Sequence, residues 1–189
     1  MREQRRQKLR SALDKRIDSL TIVLESLYLR HNLSAVLRTA EAFGIQDVHL
    51  VSGGRPVEHG VARGAEKWVT LHTHESIESC LSELRQSGFS IYIADLTDDA
   101  YTPETLPVES RIAILFGSEL AGVSDRAKSL SDGAIIVPMV GLTQSLNVSV
   151  AAACILSRLS QRRRHIVGEG DLSDDKKERL LSKWIQRHS

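Results

Sequence analysis

The chain has 189 residues, of which 41% are hydrophobic, and its formal net charge is +1. This length predicts one globular domain with extra terminal segments, and a core that is stable without crosslinks. No apolar run reaches the roughly 18 residues that a transmembrane helix needs, and the charged segment 1–16 lacks the apolar core of a signal peptide. We therefore expect a cytoplasmic protein that does not enter a membrane.

The two ends of the chain are basic and the middle is acidic. Residues 1–16 carry a net charge of +5 and residues 158–189 a net charge of +4, which leaves −8 for the remainder. This asymmetry favours an anionic partner such as RNA held by the termini, although solvated basic helix faces would give the same local pattern. The candidate contacts are Arg5, Arg6, Arg10, Arg162, Arg163 and Arg164.

The first part of the chain alternates between helical and strand patterns. A polar, basic helix is predicted over 3–16, and the short apolar run 20–24 with its β-branched centre predicts a buried strand. Apolar residues recur at helical spacing over 33–43, so an amphipathic helix is expected there. Asn32 stands where an N-cap belongs and Gly44 where a C-cap belongs.

The rest of the chain continues this alternation. The predicted elements are strand 48–51, helix 76–87, strands 89–94 and 112–116, a helix from Ser124 to about Leu130, strand 134–138, and helices 148–162 and 174–187. Such an order is typical of an α/β fold with a mainly parallel sheet and helices on both faces. Ligands bind these sheets beyond the carboxyl ends of the strands, which directs attention to the loops after Ala94, Phe116 and Pro138.

The cysteines and histidines give little sign of a metal site. Cys80 and Cys154 form no CxxC pair, so neither a disulfide framework nor a cysteine zinc site is expected. His72 and His74 are two residues apart, which suits a strand face or a loop, and the sequence shows no third ligand near them. We therefore predict no bound metal.

Two loops have the composition of a ligand site. Gly117 and Gly122 lie in the loop after the strand 112–116, where glycine lets a ligand approach the backbone, although an ordinary turn also uses glycine. The segment 138–147 leads into the start of a helix, whose free N–H groups suit carboxylates and phosphates. Ser145 or Asn147 could cap that helix, and capping alone would explain only one of these two residues.

One arginine lies outside the apolar stripe of its helix. Arg38 is therefore not needed for packing. It could form a helical pair with Glu41, which would add little stability. The functional interpretation is a guanidinium presented to a phosphate or an alkoxide.

Three segments together resemble a known family. Residues 32–40 resemble the first motif of the SpoU/TrmH family in the SPOUT methyltransferase superfamily, residues 116–124 its second motif, and residues 137–151 its third. The motifs occur in the family's order and span most of the chain. The basic N-terminal helix, the Trp68 segment and the helix ending near Trp184 are similar to the branch that methylates the ribose of tRNA guanosine 18 in the D-loop.

The resemblance implies a fold, a cofactor and an assembly. It implies a SPOUT domain over 18–162 with a C-terminal deep trefoil knot, which general topology rules would not predict. Helical extensions would occupy 1–17 and 163–189. It also implies a homodimer whose active site lies near the interface. The positions that match the family's S-adenosyl-L-methionine (SAM) contacts are Leu96, Gly117, Val137, Met139 and Leu146.

The resemblance also assigns catalytic roles in methyl transfer to the ribose 2'-hydroxyl. Arg38 matches the residue proposed to activate the hydroxyl, and because an arginine side chain stays protonated at neutral pH, stabilisation of the alkoxide is favoured over proton acceptance. Asn32 would position Arg38 or the cofactor loop, and Glu119 would orient Arg38, Asn32 or a loop amide. Ser145 and Asn147 would fix the third loop and contact cofactor or ribose, while Glu119 as a loop lock and Asn147 as a cap stay open.

Three rival functions remain. An rRNA ribose 2'-O-methyltransferase of the same family is the nearest, although such relatives often carry a separate RNA-binding domain that the 31 residues before Asn32 cannot supply. A non-catalytic RNA-binding module would have lost the cofactor loops and the arginine, which are intact here. A nucleotide-dependent oxidoreductase ranks last because its glycine fingerprint is missing.

Overall fold

A computed structural model describes residues 3–26, 30–52, 67–118 and 120–186. The strands in these ranges are β1 (Leu20–Glu25), β2 (Asp47–Val51), β3 (Thr70–His74), β4 (Phe89–Ala94), β5 (Arg111–Phe116) and β6 (Gly133–Ile135). The helices are α1 (Glu3–Asp14), α2 (Arg30–Ala42), α3 (Ile77–Gln86), α4 (Asp125–Ser129), α5 (Val148–Val167) and α6 (Asp174–Gln186).

The six strands form one parallel sheet in the order β3-β2-β1-β5-β4-β6. The central strands β1 and β5 are apolar because both of their faces are covered. Ile22 and Ile114 face the helices α2 and α5, whereas Val23 and Leu115 face α3 and α4. The predicted parallel α/β fold with helices on both faces is therefore confirmed.

The two terminal helices pack against each other. A separate apolar cluster joins Leu13 of α1 to Leu181 and Trp184 of α6. The helix α5 runs without a break to Val167, so the predicted boundary at residue 162 falls inside a helix. None of the helices in the described ranges is long and apolar enough to cross a bilayer.

Three local predictions need correction. The strand β3 was not predicted, because its sequence has a single aliphatic residue, Leu71, and that residue is exposed at the sheet edge. The strand β6 ends at Ile135, three residues earlier than expected. Asn32 is not the N-cap of α2, since the helix already includes Arg30. The predicted C-terminal stop is confirmed at Gly44, whose φ of 79° suits glycine.

Candidate active site

A cleft of about 350 Å³ lies beyond the carboxyl ends of β4, β5 and β6. This is the edge at which parallel α/β sheets bind ligands. All five residues predicted to contact the cofactor line it, together with Ser145 and Asn147 from the catalytic predictions. The five are Leu96, Gly117, Val137, Met139 and Leu146.

The loop after β5 folds tightly against itself at one wall of the cleft. The Ser118 and Gly122 backbones exchange two hydrogen bonds, at 3.0 and 2.9 Å. A Cβ on Gly117 would lie 2.1 Å from the Gly122 carbonyl group, and Gly122 itself has a φ of 67°. These two glycines are therefore required by a close backbone approach and by a left-handed turn, respectively.

The third motif enters the site through the start of α5. Asn147 is the N-cap of this helix, and its side-chain Oδ1 accepts from the Ser149 backbone N–H at 2.9 Å. The Asn147 Nδ2 donates to the Asn32 Oδ1 at 3.2 Å. Asn147 is therefore a helix cap that also lines the cleft, and its contact to cofactor or ribose stays a prediction. This bond places the buried Asn32 beside the cleft.

The structure bears differently on the two remaining catalytic predictions, Arg38 and Glu119. Arg38 is exposed on α2 and does not belong to the described residues that line the cleft. Six residues turn a helix by about 240° beyond one full turn, so Arg38 and Asn32 face different directions. Glu119 lies outside the described residues. Its role stays a prediction.

One acidic side chain belongs to the described lining of the cleft. Among the described residues that line it, Asp95 is the only ionisable one. Lys128 Nζ of α4 lies 2.7 Å from Asp95 Oδ2, and this hydrogen bond raises the pKa of the Lys128 ammonium. With Asp95 engaged in this way, the described lining is suited to binding and orientation more than to proton abstraction.

A buried carboxylate that was not predicted from the sequence supports the loop after β5. Glu25 ends β1, and its two carboxylate oxygens accept from the Ser124 hydroxyl at 2.7 Å and from the Ser124 backbone N–H at 3.0 Å. The apolar run before Glu25 predicts a buried strand end. A carboxylate at such a position requires donors nearby, and that is the signal that could have revealed it.

The six arginines predicted to contact RNA are not equivalent. Arg5 and Arg6 are exposed on α1, whereas Arg10 forms an exposed ion pair with Glu178 at 3.0 Å. Arg162 and Arg164 are half-buried and donate to backbone carbonyls at 2.8 to 3.0 Å.

Arg163 cannot act as a surface contact. Its side chain is buried and donates to the Ser19 hydroxyl at 2.7 Å and to the carbonyls of Val108 and Glu109 at 2.6 and 3.0 Å. These bonds tie α5 to the segments that precede β1 and β5. The RNA interpretation of Arg163 is therefore wrong, because its donors are used inside the fold.

The structure brings together potential metal ligands that lie far apart in the sequence. One ligand atom from each of His49, His74 and Cys80 lies within 4.8 Å of the others. A third ligand is thus present near His74, contrary to the sequence analysis. However, His49 Nδ1 and His74 Nε2 are 2.9 Å apart and hydrogen-bond to each other, which accounts for both nitrogens. Burial and neighbouring histidines lower the pKa of His49 to about 3, and burial raises the pKa of the Cys80 thiol to about 12.

The fold and the cleft define a parallel α/β protein with a ligand site built from backbone loops at the carboxyl edge of its sheet. The profile described as the SpoU rRNA Methylase family matches residues 19–157. A tRNA (guanosine(18)-2'-O)-methyltransferase from Thermus thermophilus is 39% identical over 98% of this chain and 97% of the relative. The chain belongs to the SpoU methylase family.

Two solved structures share the fold of this chain. The crystal structure of the A. aeolicus TrmH/SpoU tRNA modifying enzyme has a TM-score of 0.86 at 30% identity, and covers 98% of this chain and 97% of that one. A SpoU methyltransferase from Streptomyces viridochromogenes, solved in complex with AdoMet, has a TM-score of 0.70 at 21% identity, with coverages of 82% and 64%. This second structure supports the fold alone.

Proposed function

We propose that this protein transfers a methyl group from SAM to the ribose 2'-hydroxyl of guanosine 18 in tRNA. The observation that carries the proposal is the cleft itself. Five positions inferred from the family's cofactor contacts lie around one cavity, and the Asn147–Asn32 bond links that cavity to α2, which carries Arg38. The named activity of the full-length relative from Thermus thermophilus supports the substrate.

The residues of the cleft fit SAM. Apolar side chains such as Phe116, Ile135 and Leu146 suit a flat adenine ring, and the Gly117 backbone has no side chain to keep a ligand away. The cleft volume of about 350 Å³ falls in the range of small-molecule sites. When bound, SAM supplies an electrophilic methyl group.

The protein's part in the reaction is to orient the ribose and to stabilise charge. The 2'-oxygen gains the methyl group as it loses its proton, and negative charge develops on that oxygen. The Arg38 guanidinium would stabilise this charge, while a substrate phosphate or water takes the proton, because arginine stays protonated at neutral pH. Asn32 and Asn147 hold the third loop, and Ser145 lies where it could contact ribose or cofactor.

We also propose that the protein acts as a homodimer with the family's C-terminal trefoil knot. Exposed apolar side chains near the cleft loops support an interface, and these are Leu120, Val140, Leu142 and Val150. Arg38 is exposed on α2 and is not among the described residues that line the cleft of its own chain, so in a dimer it could act at the site of the partner. The helical extensions, with Arg5 and Arg6 exposed on α1, would contact tRNA in the cytoplasm.

Labelled-methyl transfer tests the proposal. Purified protein, labelled SAM and a tRNA transcript should give 2'-O-methylguanosine at position 18, whereas a transcript with adenosine at position 18 should give none. An rRNA fragment serves as the competing substrate. The Arg38→Ala variant should lose most activity but retain SAM binding. Methylation of the rRNA fragment alone would contradict the tRNA assignment, and full activity of Arg38→Ala would contradict the role of Arg38.

A further inference from the structure

We infer that Glu25 is a positioning residue that holds the 117–124 loop in the conformation that binds the methyl donor. Glu25 does not line the cleft, and its contacts are to Ser124, at the far end of this loop. The inference rests on the proposed function, because it assumes that the cleft binds SAM.

The loop is held at two points. At its start, Gly117 touches the backbone of Gly122, and the Ser118–Gly122 pair of hydrogen bonds closes the turn. At its end, Glu25 accepts both donors of Ser124, the hydroxyl and the backbone N–H. Gly117, Ser118 and Gly122, which form the first of these points, line the cleft. A shift at Ser124 would therefore be transmitted directly to the cavity wall.

Burial makes the Glu25 contact specific. Glu25 is 7% exposed, so its carboxylate has lost most of its hydration and must be satisfied by protein donors. Hydrogen bonds to an ionised acceptor are stronger than neutral ones. The Ser124 Oγ is also held from the other side, because it accepts from the Ala127 N–H at 3.1 Å as the N-cap of α4. The loop end is thus fixed relative to both β1 and α4.

The backbone after Glu25 is itself constrained. Ser26 has a φ of 54°, the one positive φ of a non-glycine residue in the described ranges, and its N–H donates to Val51 at 3.0 Å. Such a conformation persists only where the surroundings hold it. The chain then leads to α2, which carries Asn32 and Arg38. Glu25 therefore links the 117–124 loop to the end of β1, from which the chain continues to α2.

A purely structural role would have a different consequence. If Glu25 only stabilised the fold, its substitution would lower overall stability without a selective effect on the donor. A positioning role instead predicts weaker donor binding in a protein that stays folded. The Michaelis constant for SAM should then rise more than the turnover number at saturating SAM falls.

Four variants compared by calorimetric titration with SAM test the inference. Glu25→Gln keeps the shape of the side chain but places an amide donor opposite one of the two Ser124 donors. The dissociation constant for SAM should then rise roughly 10-fold or more. Ser124→Ala keeps the carboxylate but loses the hydroxyl, and a smaller rise of about 3- to 10-fold is expected. Ser124→Thr retains both donors and should bind SAM within about twofold of the unmodified protein. Glu178→Gln is the matched control, since Glu178 pairs with Arg10 on the terminal helices.

Hydrogen–deuterium exchange of the SAM-free protein gives a second readout. In Glu25→Gln the amides of 118–124 should exchange faster, while those of the central strands are unchanged. Equal SAM affinity in the unmodified protein, Glu25→Gln and Ser124→Ala would overturn the inference and leave the proposed function intact. Weaker binding with global unfolding in both variants would also overturn it. No SAM binding by the unmodified protein would overturn the proposed function, and the inference with it.

Discussion

Replacement of Arg163 by methionine should destabilise the protein without directly affecting RNA recognition. The buried guanidinium donates to Ser19, Val108 and Glu109. Methionine keeps much of the apolar stem, but the Val108 carbonyl and the Ser19 hydroxyl lose a charged donor. A buried polar group left unpaired costs about 1 to 3 kcal/mol. With two such groups, the free energy of unfolding should fall by about 2 to 6 kcal/mol, or Tm by about 4 to 24 °C for a chain of this size.

Urea unfolding followed by circular dichroism measures this effect, with Arg158→Met as the matched control on the same helix. The Arg158 side chain is 62% exposed and lies 3.6 Å from Glu104, so its loss should change stability by less than about 0.5 kcal/mol. Under conditions where both variants are folded, Arg163→Met should bind tRNA with unchanged affinity. Unchanged stability of Arg163→Met together with weakened tRNA binding would refute the structural assignment.

Three further predictions concern RNA, cofactor and pH. Substitution of both Arg5 and Arg6 by alanine should weaken tRNA binding and reduce its salt slope by about 1 to 2, measured by filter binding between low and moderate salt. Gly117→Ala should weaken SAM binding at least about 10-fold in calorimetry, because its Cβ would overlap the Gly122 carbonyl group. The pKa of His49 is lowered to about 3 in the folded protein, so below about pH 6.5 the unfolded state binds one proton more than the folded state. The free energy of unfolding should therefore fall by about 1.4 kcal/mol per pH unit between about pH 6.5 and pH 3.

Each of these predictions has an outcome that contradicts it. An unchanged salt slope would show that the α1 arginines do not contact phosphates. Gly141→Ala is the control for Gly117→Ala, since a Cβ on Gly141 meets no atom within 4 Å, and equal effects in both would remove the steric explanation. A His49→Asn variant that retains the full acid dependence of stability would assign that dependence to other groups.

The strands that were predicted correctly are those whose burial demands an apolar run. The strands β1, β4 and β5 lie inside the sheet, and their predicted bounds differ from the observed ones by one residue at most. The edge strand β3 has one face against solvent and carries Thr70, His72 and His74, so hydrophobicity alone could not reveal it. Its histidines are held by contacts to β2, such as His72 Nε2 to Asp47 Oδ1 at 2.8 Å.

The three adjacent arginines Arg162, Arg163 and Arg164 were all predicted to contact RNA because of their charge, whereas helical periodicity would have separated them. Consecutive residues on a helix point about 100° apart, so three adjacent arginines cannot share one surface. The buried stripe of α5 includes Ile155, Leu156 and Leu159. Continuing it by four residues from Leu159 gives Arg163, which therefore had to be buried.

The cleft could be predicted only through family resemblance, because its parts come from loops with no periodic pattern. Nothing in the local sequence tells that the side chain of Asn147 reaches Asn32, or that Glu25 reaches Ser124, across 115 and 99 positions. These bonds depend on the order of the strands, with β1 beside β5 in the middle of the sheet. Long-range polar pairs of this kind follow from topology, which single-sequence reasoning supplies least reliably.

The two ends of the sheet carry different kinds of polar network. At the amino ends of β1 and β5, Arg163 uses a charged side chain to satisfy backbone carbonyls, which stabilises the fold. At the carboxyl ends, Glu25 and Asn147 instead fix irregular backbone, and Ser26, the one left-handed non-glycine residue in the described ranges, lies on this side. Strain of this kind is tolerated where precise loop geometry is needed. Substitutions at the amino ends should therefore change stability first, and those at the carboxyl ends should change ligand binding first.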